Sequence, residues 1–190
     1  QAVDEGIAEP ILLGRRSVIE ALIAEHKLEL PGVTIINPRS DEEHDRRHAF
    51  AAEFYEKRRR KGLTIKEAER HMRQRNYFGA MMVNTGAADA LISGLTRTYP
   101  SVIRPALQVI GKAKGVEKVA GMYILETKRG PMFFADTTVN MDPTAEEIVA
   151  IAELTAEAVR RLRIVPRMAL LSYSNFGSAQ GAGASKMAQA

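Results

Sequence analysis

Two arginines and two turn-forming loops carry the chemistry this sequence can offer. Arg58 sits near the end of a long charged segment, FYEKRRRKG (54–62), and Arg104 stands just after the loop SGLTRTYPS (93–101). A guanidinium presents a planar fork of donors that matches phosphate or carboxylate oxygens. If Ser93 and Thr98 of the loop converge with Arg58 and Arg104, the four make an oxyanion site. Taken singly, either arginine reads more simply as half of a surface ion pair.

The second loop lies in PRMALLSYSNFGS (166–178). The apolar run Met168–Leu171 predicts a buried strand, and Ser172, Ser174, Asn175, Gly177 and Ser178 follow it as a turn. In an open α/β sheet, ligands collect at the carboxyl ends of strands, where turn amides and the next helix N-terminus hold an anion. Ser, Asn and Gly also suit any strand-to-helix turn, and from this stretch alone that plainer reading comes first.

Other chemistries find less support. His44 and His48 have the spacing of two metal ligands on one helix face, but no third ligand accompanies them, and a charged helix (Asp41 to Arg47) explains them. GxGxxG, P-loop and GxSxG motifs are absent. With 0 Cys there is no thiolate chemistry and no disulfide. The run Lys57–Lys61 holds much of the net charge of +4. It complements the dipole at a helix end or faces a phosphorylated ligand; nucleic acid is not expected, because no aromatics interleave it beyond Phe54 and Tyr55. No apolar run of about 18 residues occurs, so no membrane partner is expected and a cytoplasmic location is the default.

The elements that must position these groups alternate. Pro10–Gly14, Val33–Ile36, Ala90–Gly94 and Met168–Leu171 read as strands. Helices are expected over Arg15–Lys27, Asp41–Lys61, from the capping box at Thr64–Glu67, over Tyr77–Val83, Ser101–Ile110 and from the capping box at Thr144–Glu147 to about Arg163. In that last helix, Ile148, Ile151, Leu154, Ala158 and Leu162 mark the apolar side. Met122–Glu126 and Met132–Ala135 form a hairpin about Arg129-Gly130, with Asp136 at its end. This rhythm predicts an α/β fold with a mostly parallel sheet covered by helices on both faces. The change to a hairpin near residue 115 divides it into lobes 1–115 and 116–190. Both ends (QAVDEGI and SKMAQA) read as helical without cap or stop signals, so a fragment of a longer chain is expected.

The blocks FYEKRRRKG, TIKEAERHM, YFGAMMV, DALISG, IRPALQVIG, FADTTVNMDPTAEEI and VPRMALLSYSNFGS occur in the order seen in the phosphate acetyl/butyryl transferases. The chain resembles that family over essentially its whole length. The resemblance implies two Rossmann-like three-layer lobes, a cleft between them for coenzyme A and acyl phosphate, and a homodimer or larger oligomer. It also implies that Arg58 and Arg104 face that cleft.

Two departures count against catalysis. The small hydroxyl residues and acid before the family's RPA block are replaced by Arg97-Thr98-Tyr99-Pro100-Ser101, and its STKGS turn by Ser174-Asn175-Phe176-Gly177-Ser178. SNFGS and DTTVNMDPTAEEI are instead similar to the C-terminal domain of large bacterial NADP-dependent malic enzymes. That resemblance implies a regulatory domain with no catalytic residues and no cofactor of its own. It would bind acetyl-CoA or CoA through Arg58, Ser93, Thr98, Arg104, Ser172, Ser174, Asn175, Gly177 and Ser178. NADP and a divalent metal would belong to a preceding malic enzyme part, which oxidatively decarboxylates malate to pyruvate. The family's catalytic serine, arginine and aspartate would lie past Ala190. An active phosphate acetyltransferase is the alternative.

Overall fold

A computed structural model describes residues 2–175 and 177–190. The chain divides into two compact units, Gln1–Gly111 and Lys112–Ala190.

The first unit opens with a β-α-β arrangement. Strand β1 (Ile11–Leu13) pairs in parallel with β2 (Thr34–Ile36), Ile11 opposite Thr34, and α1 (Arg16–Glu25) makes the crossover. The Gly14 amide continues the ladder to the Ile36 carbonyl at 2.9 Å. After a 3₁₀ turn, α2 (His44–Arg58) runs into a second 3₁₀ turn that ends at Gly62, whose φ of 86° is the left-handed conformation open to glycine. Helix α3 (Ile65–Met72) starts on the expected box: the Glu67 amide donates to Thr64 Oγ1 at 3.3 Å, and the Thr64 amide to Glu67 Oε2 at 2.9 Å. Helices α4 (Arg75–Asn84) and α5 (Tyr99–Val109) complete the unit.

Its core forms where α2, α3 and α4 meet. Phe54, Phe78, Met72 and Met81 are fully buried, so the Met pair of YFGAMMV fills the core. Gly79 is required by close approach: a Cβ there would stand 2.8 Å from Leu91 Cδ1 and 3.0 Å from Leu13 Cδ1.

In the second unit, β3 (Met122–Thr127) and β4 (Gly130–Ala135) form an antiparallel hairpin, Met122 opposite Ala135. Helix α6 (Ala145–Arg161) begins on the second capping box, Thr144 with Glu147, and α7 (Ala182–Gln189) follows the serine-rich turn. The buried stripe of α6 is Ala145, Ile148, Ile151, Ala156 and Val159. Of the expected apolar side only Ile148 and Ile151 belong to it: Leu154 and Ala158 are half-buried, Ala156 and Val159 are buried in their place, and the helix stops at Arg161, leaving Leu162 as an exposed cap.

Three expected elements are absent. Ala90–Gly94 and Met168–Leu171 have no ladder partner among the described residues and are irregular, with Ile92 97% and Leu171 72% exposed. An apolar run becomes a strand only when a neighbour takes up its N–H and C=O groups. Ala2–Gly6 is a set of turns rather than a helix: Gly6 donates to the Val3 carbonyl and adopts a φ of 66°.

Candidate functional site

Arg58 and Arg104 line one cavity of about 410 Å³ in the first unit. The rest of its lining is Pro100, Ile103, Leu107 and Gln108. Five of these six residues come from α5 at positions 100, 103, 104, 107 and 108, the three-and-four spacing of a single helix face. Arg58 arrives from the last turn of α2, where cationic side chains complement the helix dipole.

The two helices are held in register by polar ties beside the cavity. Lys57 Nζ donates to the Val109 carbonyl at 3.2 Å and also to Asn84 Oδ1. Asn84 Nδ2 donates to Glu53 Oε1 at 2.6 Å, so α2, α4 and the end of α5 share one network.

Pro105 lies inside α5 and removes the amide that would bond the carbonyl of residue 101. Asn76 Nδ2 replaces that donor, reaching the Ser101 carbonyl at 2.8 Å. Asn76 Oδ1 accepts from Ser93 Oγ, also at 2.8 Å. Ser93 is therefore fastened to α4 and lies outside the cavity lining. Thr98 is the N-cap of α5; its side chain makes no capping bond, while its carbonyl accepts from the Ser101 amide and hydroxyl.

The electrostatics of the cavity are one-sided. Neither Arg58 nor Arg104 forms a side-chain hydrogen bond or ion pair among the described residues, so the surface-pair reading is not realised there. Tyr77, buried beneath them, donates its hydroxyl to Gln108 Oε1 at 2.7 Å. Burial pushes the Tyr77 phenol up from its ordinary value, and the charges of Arg104 and Arg58 oppose this. Since the Gln108 carbonyl oxygen is taken by Tyr77, its amide nitrogen is the end left to donate to a ligand. The unit therefore offers two cationic forks and a neutral donor above an apolar strip of Pro100, Ile103 and Leu107. Such a surface fits a phosphorylated molecule that also carries apolar groups.

In the second unit, Ser172, Ser174, Asn175, Gly177 and Ser178 share one turn whose hydroxyls serve its own backbone. The Ser174 amide donates to Ser172 Oγ at 3.1 Å, the Ala179 amide to Ser174 Oγ at 3.1 Å, and the Asn175 amide to Ser178 Oγ at 3.2 Å. Gly177 takes a φ of 78°. Phe176, half of the Asn175-Phe176 departure, lies outside the described residues.

Asp136 does more than end a strand. Its carboxylate accepts from the amides of Gly121 (2.8 Å), Thr138 (3.1 Å), Val139 (3.2 Å) and Asn140 (2.6 Å), and from Asn140 Nδ2. Burial alone would raise its pKa, but the donors from Thr138, Gly121 and Asn140 outweigh burial and bring it down to about 2. The sequence hint was an acid followed by Thr-Thr-Val-Asn, a composition that favours Asx turns. Among the described residues, no group of three or more His, Cys, Asp or Glu is arranged to hold a metal. No helix among them is long and apolar enough to cross a membrane.

The family model described as phosphate acetyl/butaryl transferase matches residues 1–190. This chain belongs to that family. It is 35% identical over 94% of its length to a phosphate acetyltransferase of Clostridium acetobutylicum, covering 55% of that protein. It is 42% identical over 96% of its length to an NADP-dependent malic enzyme of Salmonella typhimurium, covering 24% of it. A solved phosphotransacetylase from Streptococcus pyogenes superimposes with a TM-score of 0.80 at 33% identity, over 97% of this chain and 56% of that one. The chain thus spans about half of these transferases and a quarter of the malic enzyme, and its α/β fold is that of the transferase family.

Proposed function

We propose that this chain is the phosphotransacetylase-like regulatory domain of an NADP-dependent malic enzyme, binding acetyl-CoA as effector without turning it over. The observation that carries the ligand class is the Arg58–Arg104 cavity, whose guanidinium groups have no ion-pair partner among the described residues and lie beside an apolar helix face. Coenzyme A has that composition, with phosphate groups joined to a largely uncharged arm. The 42% identity to a malic enzyme supports the choice of parent protein.

The loss of catalysis rests on the start of α5. Tyr99 and Pro100 occupy the first turn, and Pro100 forms part of the cavity wall. These two residues stand where the family resemblance implies small hydroxyl residues, and a ring and a rigid backbone leave less room for an acyl phosphate there. Regulation then means linkage: acetyl-CoA binds two states of the enzyme with different affinity and shifts their balance. Assembly as a homodimer or larger oligomer gives such states a route between subunits.

A direct test measures malate oxidation by the intact protein as acetyl-CoA is titrated. A saturable change in rate that is weakened in Arg104→Ala supports the reading. A gene with no malic enzyme region ahead of this chain ends it.

The second reading is an active phosphate acetyltransferase, favoured by the 35% identity to the Clostridium acetobutylicum enzyme. There the coenzyme A sulfur attacks the acetyl carbonyl of acetyl phosphate. The C–S bond forms, the C–O bond to phosphate breaks, the thiol proton leaves to phosphate or solvent, and Arg58 and Arg104 stabilise the departing phosphate. Thiol consumption from acetyl phosphate plus coenzyme A decides between the two readings.

A further inference from the structure

A second cavity, of about 380 Å³, opens between α2 and α3, on residues distinct from those around Arg58 and Arg104. Its wall carries four formal cations, Arg47, Lys66, Arg70 and Arg73, against the single carboxylate of Glu69. The two histidines that share metal-ligand spacing, His44 and His48, complete it.

Glu69 Oε1 faces His48 Nδ1 at 3.6 Å and Asp45 Oδ1 faces His44 Nδ1 at 3.0 Å. Glu43 Oε2 lies 3.4 Å from Arg46 Nε, is buried and accepts no hydrogen bond among the described residues; Glu43 is not part of the cavity wall. Lys66, Arg70 and Arg73 make no side-chain hydrogen bond or ion pair among the described residues.

Arg47 is the exceptional member. It is only 7% exposed, which is rare for a guanidinium without an acidic partner. One nitrogen, Nη1, donates to the Pro38 carbonyl at 3.1 Å and to the Ser40 carbonyl. The turn after β2 that supplies these carbonyls is itself fixed by Ser40, whose amide and hydroxyl donate to the Asn37 carbonyl at 3.0 and 2.9 Å. Nε and Nη2 have no partner among the described residues. A buried charge is costly unless something neutralises it, so a pre-set guanidinium edge in a cationic cavity calls for an anion.

We propose that this α2–α3 cavity binds a compact, multiply charged phosphate of the pyrophosphate or tripolyphosphate class. Several converging cations suit a ligand with more than one anionic centre, since a lone carboxylate needs only one fork. No aliphatic, Phe or Tyr side chain lines the wall, so the cavity offers a ligand charge and the two imidazoles of His44 and His48 rather than an apolar platform for an acyl arm. That separates it from the Arg58–Arg104 cavity, whose wall includes three apolar residues.

The test is calorimetric titration of the intact protein with pyrophosphate and with tripolyphosphate, with citrate and poly-glutamate as competing anion classes. The expected result is saturable binding of one phosphate ligand per chain, at least about tenfold weaker in Lys66→Ala/Arg70→Ala and unchanged in Arg58→Ala. Lys66 and Arg70 are solvent-exposed, so the double variant should keep the parent melting temperature; Lys66→Gln alone should give a smaller loss in the same direction. Three outcomes overturn the proposal: no saturable phosphate binding, loss with Arg58→Ala instead, or citrate or poly-glutamate binding as tightly as pyrophosphate.

Discussion

Asn76 donates to the Ser101 carbonyl at the point where Pro105 has removed the helix's own donor. A proline inside a helix normally breaks or kinks it, yet α5 continues to Val109 and presents Pro100, Arg104 and Gln108 on one face. The amide on α4 repairs the ladder, and its oxygen also holds Ser93.

Asn76→Ala should therefore loosen the first turn of α5. Water can replace the lost donor at the exposed Ser101, so the stability cost should be modest, about 0.5–1.5 kcal/mol. Acetyl-CoA affinity should fall several-fold, because the arginine and the neutral donor lose their common alignment. Denaturant titration and calorimetry on the same variant check both; a loss of stability with unchanged affinity counts against the link.

His71 predicts a pH dependence in the first unit. It meets Phe54 edge-on at 6.0 Å and Tyr77 at 4.2 Å between ring centroids. Burial holds its pKa below the ordinary 6.5, with Arg70 adding to the effect and Glu67 opposing it. The unfolded chain thus takes up this proton first. The contribution is fully present above the ordinary value of 6.5 and declines as the pH falls below it. The melting temperature should drop between about pH 7.5 and 5.5, and His71→Phe should flatten that slope.

Asp136 has its dependence at lower pH. Its folded pKa of about 2 lies below the ordinary 3.8, so its stabilisation is present above 3.8 and lost as the pH falls through about 2. Asp136→Asn keeps one acceptor oxygen for the amides of Gly121, Thr138 and Val139 but sets an NH2 donor against the Asn140 amide and side chain, which also donate. It should destabilise the second unit near neutral pH and remove that acid-side loss. Hydrogen exchange at the amides of Gly121, Thr138, Val139 and Asn140 reads it directly; unaltered protection in the variant would show that the carboxylate does not hold the loop.

Much of this is legible in the sequence. Both capping boxes and the hairpin about Arg129-Gly130 follow from local spacing, and local spacing is what a sequence records best. Arg58 and Arg104 stand out in the sequence because their residue type fits an anion. That they share a cavity depends on the ties from Lys57 to Val109 and Asn84, contacts between residues far apart in the chain. Ala90–Gly94 and Met168–Leu171 misled for the complementary reason. Their composition is right for strands, but a strand exists only with a partner, and composition does not supply one. Gln108 and Asn76 gave no signal at all, since an amide is informative only once its neighbours are known.

The most direct measurement of the central claim is calorimetric titration of the intact protein with acetyl-CoA, alongside Arg58→Ala and Arg104→Ala. Saturable binding, weakened at least about tenfold in each variant, is the predicted result. Absence of binding, or binding equal in all three proteins, would contradict it.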